Sequence, residues 1–106
     1  MPGVTITVNN SGDFAYSAAL LHVGAGDVIT WNAGAETGAF AITFRPDTPL
    51  AAGGVALESG GPANTIVGTV RNGLPIGAVY YYSVRASHLP DGTIWKDGGC
   101  PELIIR

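Results

Sequence analysis

The sequence predicts an all-β, Greek-key sandwich of about seven or eight short strands. Three observations carry this. Apolar and polar residues alternate at period two in several windows, as in Val4–Val8 and Phe40–Phe44. Sixteen glycines and seven prolines in 106 residues divide those windows with turns. No window of about eleven residues repeats apolar side chains at the helical i, i+3, i+4 spacing.

Val4, Ile6 and Val8 alternate with Thr5 and Thr7, which reads as a half-buried first strand ended by Asn9–Gly12. Phe14 and Tyr16 are two apart and suit a short second strand. Leu20, Leu21 and Val23 follow, with His22 among them. Gly24–Asp27 is a turn by its glycines, and Val28–Asn32 is the next strand, with Ile29 and Trp31 inward. Phe40, Ile42 and Phe44 give a strand with one strongly apolar face, stopped by Pro46. Residues 45–64 read as a long loop with a short strand at Val55–Leu57, and Thr65–Val70 is a strand with Ile66 inward. In the tyrosine strand, Tyr80 and Tyr82 point inward, and Tyr81 points outward with Ser83 and Arg85. A long loop holding His88, Asp91, Trp95, Lys96, Asp97 and Cys100 then leads to a closing strand at Leu103–Arg106.

The length suits one domain over residues 1–106. Charged residues make up 12% of the chain, against an ordinary share of about 25%, so the surface is poor in charge. The net charge is −3, and the five cations Arg45, Arg71, Arg85, Lys96 and Arg106 are scattered along the chain. That spread predicts no face for nucleic acid. No apolar run approaches the ~18 residues of a membrane helix, so no membrane insertion is expected. No basic, apolar leader opens the chain, which suits a cytoplasmic protein or the mature form of an exported one. The one cysteine, Cys100, rules out an internal disulfide.

The order of motifs resembles the cupredoxins. VTITV opens the chain, LHVGAGDVITWN carries Gly26-Asp27 into a strand holding Trp31, FAITF follows, and VYYYSV precedes PELIIR near the end. The resemblance implies a two-sheet sandwich with a copper loop after the tyrosine strand. It also implies a type I copper set of two imidazoles, a thiolate and a weak axial thioether. By the family's spacing the first histidine falls at Phe40 and the cysteine at Val84 or Ser83. His88 sits near the place of the second histidine, and no methionine follows it. The implied donors are therefore largely replaced, and no cofactor is expected.

Four residues are candidates for binding: Tyr81, Arg85, His88 and Trp95. Tyr and Trp give large contact area at low entropy cost. Trp95 in a polar loop has two readings, a surface for stacking or a plug folded over the end of the sandwich. Two alternatives stand beside a plain binding domain. His22, His88 and Cys100 offer a soft N/N/S donor set for a metal or electron-transfer protein, although no CxxC or HxxxH spacing joins them. Trp95 with Tyr81 suits a small carbohydrate-binding module. Ser87-His88 with Asp91 or Asp97 invites a hydrolase reading, but adjacent side chains on an extended chain diverge and no GxSxG elbow is present. The favoured expectation is a non-enzymatic domain without type I copper. Its weakly charged surface suggests association with itself or a protein partner.

Overall fold

The computed structural model describes residues 2–45, 47–60, 64–89, 91–97 and 101–106. Ten strands appear among them: β1 (Gly3–Val8), β2 (Phe14–Tyr16), β3 (Leu20–Val23), β4 (Val28–Ala33), β5 (Thr37–Arg45), β6 (Ala56–Glu58), β7 (Thr65–Thr69), β8 (Val79–His88), β9 (Ile94–Asp97) and β10 (Glu102–Ile105). They form two sheets, one ordered β2-β1-β4-β7 and a larger one ordered β3-β10-β8-β5-β6, with β9 added on β8. The chain passes repeatedly between the sheets, so β1 lies parallel to β4 and β3 parallel to β10.

The strand number exceeds the seven or eight expected, and β9 accounts for the main difference. Residues 94–97, read as loop, pair antiparallel with Val84–Ser87. A tight turn makes this possible. The His88 N–H donates to Thr93 O at 2.8 Å, and the Gly92 N–H donates to His88 O at 2.7 Å. β8 is long enough to serve two neighbours in succession on one edge. β10 pairs with its first residues and β9 with its last, while β5 runs along the other edge.

Both inner faces are apolar. Val4, Ile6, Val8, Ile29 and Trp31 come from the smaller sheet, and Phe40, Ile42, Phe44, Tyr82, Val84 and Leu103 from the larger. At the centre the Trp31 ring meets Phe44 and Tyr82 edge-on, with centroids 6.1 and 6.0 Å away. Such crossed pairs add roughly 0.5–1.5 kcal/mol beyond burial. Burial pushes the Tyr82 phenol above its ordinary value, and the neighbouring Trp31 indole N–H partly offsets this. A register shift between Thr37 and Phe40 breaks the β5–β8 ladder. Nearby side chains take up backbone N–H groups: Ser59 Oγ accepts from Phe40, and the buried Thr37 Oγ1 accepts from Val8 across to β1.

The sheets are also tied at their margins. The Tyr16 hydroxyl donates to Asp97, joining β2 to β9. Arg106 reaches Asp27 at 3.1 Å, and the same carboxylate accepts the Gly24 N–H at 2.8 Å. Among the described residues no helix is long and apolar enough to cross a membrane.

Candidate functional site

Alternation along β8 decides what each candidate can do. Tyr80, Tyr82, Val84, Ala86 and His88 turn inward, while Tyr81 and Arg85 project from the outer face of the larger sheet. On β9 the same period turns Trp95 inward beside Ala86 and leaves Ile94 and Lys96 outside. The four predicted binding residues therefore divide between two faces.

Trp95 packs against the core rather than standing in a loop. Its ring lies over Gly12, where an added Cβ would come within 2.3 Å of ring carbons. Its Nε1 is buried with no hydrogen-bond partner. This placement separates Trp95 from Tyr81 by the thickness of the sheet, so the two cannot stack on one sugar ring.

His88 is 4% exposed. Its Nδ1 is 3.2 Å from Asp91 Oδ1 and its Nε2 is 3.6 Å from Glu36 Oε2. Glu36 also accepts the Leu89 N–H on its backbone oxygen at 2.7 Å, so the β4–β5 and β8–β9 loops are joined at this end. The Asp91 carboxyl lies below its ordinary value, chiefly because the Thr93 backbone N–H donates to it, and secondarily because His88 is beside it. The adjacent Ser87 faces the other way and donates to Ala39 O at 3.2 Å. Ser87 and His88 thus lie on opposite faces, and the hydrolase geometry is absent.

His22 stands on β3 in the row of Ile104 and Val79. His88 lies nine residues further along β8, about 30 Å at ~3.3 Å per residue. The two imidazoles cannot share an ion. Cys100, the third member of that donor set, lies outside the described residues. Among the described residues no cluster of three or more His, Cys, Asp or Glu side chains is placed to hold a metal.

The outer face of the larger sheet has a different character. Across it runs one cross-strand row, Glu58–Ala41–Arg85–Lys96, contributed by β6, β5, β8 and β9. A second row is Arg45–Tyr81–Glu102–Leu20. The small side chains of Ala41, Thr43 and Ser83 leave a cavity of about 540 Å³ between the long ones, bordered by Arg45, Arg85 and Lys96. A second cavity of about 240 Å³ continues past Ala39 and Ser87 to Ile94. Ile94 is 66% and Tyr81 41% exposed, and Leu89 lies beside Ser87 at the same end. Of these residues, sequence reasoning singled out Tyr81 and Arg85. Ile94 and Lys96 fall in the stretch that the sequence reads as a loop, although Ile94-Trp95-Lys96 alternates at the strand period.

No protein-family model matches the chain, and no curated protein sequence does. Among solved structures it is similar to a variant of amicyanin, a cupredoxin, in its reduced Cu(I) form at pH 4. The match covers 98% of this chain and 82% of that one, with a TM-score of 0.50 and 17% identity. The likeness is one of fold: this chain is a cupredoxin-like β-sandwich.

That fold implies copper, and the residues present do not fit it. Of the positions where the resemblance places ligands, Phe40 and Val84 are core side chains, 3% and 1% exposed, and Ser83, the other candidate for the cysteine, lines the outer-face cavity and carries no thiolate. Neither a phenyl ring nor an isopropyl group can ligate a metal. His88 has both ring nitrogens turned to carboxylates instead.

Proposed function

We propose that this protein is a non-enzymatic binding domain without type I copper, and that it associates through the outer face of its larger sheet. The observation that carries this is the contrast between two regions. Phe40 and Val84, at the positions where the resemblance places copper donors, are buried in the apolar core. The outer sheet face instead exposes Ile94 at one of two adjoining cavities, and Tyr81 and Leu20 in the row that starts at Arg45 on the border of the other. Large exposed apolar and aromatic groups beside small ones are the features of recognition surfaces. The divergence of Ser87 and His88 supports the non-enzymatic reading.

The test is a double variant, Tyr81→Ser with Ile94→Ser. Both side chains are exposed, so the melting temperature is expected to stay within about 2 °C of the parent. Sedimentation equilibrium at rising concentration, alone and with candidate partners, is expected to show association by the parent chain and not by the variant. Association that survives the double substitution would assign the contact to another surface.

A further inference from the structure

The charges on that face go further, resting on the binding reading above. The chain is acidic overall, with five Lys and Arg in total. Arg71 is paired with Asp47 at 3.4 Å and Arg106 with Asp27 at 3.1 Å. The other three, Arg45, Arg85 and Lys96, all border the 540 Å³ cavity. Arg85 and Lys96 are direct cross-strand neighbours, an arrangement of like charges that is unfavourable unless an anion joins it. The one carboxylate lining this cavity, Glu58, forms an exposed ion pair with Arg85 at 3.8 Å, which leaves the second cation of the row, Lys96, unanswered. Lys96 has no acidic partner among the described residues. Arg45 has an interaction of its own and Arg85 shares Glu58, so the weight falls on Lys96 with Arg85 beside it.

The two cavities share Ala41, Glu58 and Arg85 and so form one furrow. Along β5 it extends from Arg45 to Ala39, about 20 Å at ~3.3 Å per residue. Its cations are Arg45 at one end and Arg85 with Lys96 midway, and Ile94 stands two residues from Lys96 along β9, toward the other end. Six or seven residues of extended chain span the same length.

We propose that the furrow takes an extended acidic segment of a partner protein, with its carboxylates on Arg85 and Lys96 and an apolar side chain against Ile94. The positive border attracts the segment to an otherwise acidic molecule and sets its direction. A second copy of this chain, or a free amphiphilic acid, is the competing occupant that the experiment separates.

The probe is a fluorescein-labelled peptide with a run of glutamates followed by leucines, titrated with the full chain and read by anisotropy. The same peptide with lysines is the control, and decanoate is the small-molecule arm. The glutamate peptide is expected to bind and to weaken as salt rises. Lys96→Glu and Arg85→Glu should each weaken it roughly tenfold or more, while Arg85→Lys retains most of the affinity. Circular dichroism of the variants checks that these exposed changes leave the fold intact. Equal binding of the lysine peptide, or indifference to Lys96→Glu, overturns the proposal. So does decanoate binding without peptide binding. If the glutamate peptide fails while association through Tyr81 and Ile94 persists, the acidic segment is wrong and the face is right. If both are lost, the binding reading itself fails.

Discussion

Both ring nitrogens of His88 face carboxylate oxygens: Nδ1 lies within hydrogen-bond distance of Asp91 at 3.2 Å, while Nε2 is 3.6 Å from Glu36 and makes no hydrogen bond among the described residues. The side chain thus reads as a clasp between two loops, which explains its burial at the end of a sandwich. Asp91 takes part through two bonds, accepting from the Thr93 N–H at 3.0 Å and facing His88 Nδ1 at 3.2 Å. Both favour its ionised form, so its folded value is depressed. The sign follows: the stabilisation is present above the ordinary aspartate value of 3.8 and is lost as pH falls through the lower folded value. The Thr93 amide proton shift, followed by NMR, should titrate with a midpoint below 3.8, and Asp91→Asn should remove that titration. A midpoint at or above the ordinary value would show that the turn does not hold the carboxylate.

At the scale of elements, β9 is the strand that gives the larger sheet its outer wall and covers the open end of the core. Its seat is narrow. Gly12 has φ +82°, and a Cβ there would strike the Trp95 ring. Gly12→Ala therefore combines backbone strain with a clash and is expected to cost about 2 kcal/mol or more. The loss should appear in the denaturant midpoint together with a red shift of tryptophan emission as Trp95 is displaced. A neutral result would mean that Trp95 packs elsewhere. The same strand marks where the sequence stops being legible. Val4–Val8, Phe40–Phe44 and Tyr80–Val84 each alternate over five residues or more, and each appears with its apolar side inward. Residues 94–97 alternate for too short a run, and the glycines around them read as loop. The sequence therefore leaves Trp95 two readings, and its packing against Gly12 and the core is the inward one. The outer-face site was half legible for the same reason. Tyr81 and Arg85 follow from one strand's alternation. Their neighbours Ile94, Lys96 and Glu58 arrive by cross-strand pairing, which depends on register that no single strand encodes.

For the whole molecule, the fold is cupredoxin-like and the donor set is not. A sandwich fold is fixed by its two inner faces, so it survives loss of the metal as long as the vacated positions are filled by shape-compatible apolar groups. Phe40, Val84 and Ala86 do this among the buried residues of the larger sheet. The binding surface proposed above lies elsewhere, on the outer face bearing Arg85 and Lys96. Titration of the 106-residue chain with Cu(II), read by visible absorbance and melting temperature, tests the missing donor set most directly. The account predicts no thiolate-to-copper band near ~600 nm and a melting temperature shifted by less than about 2 °C. A blue band that saturates at one copper per chain, with a rise in melting temperature, would contradict it.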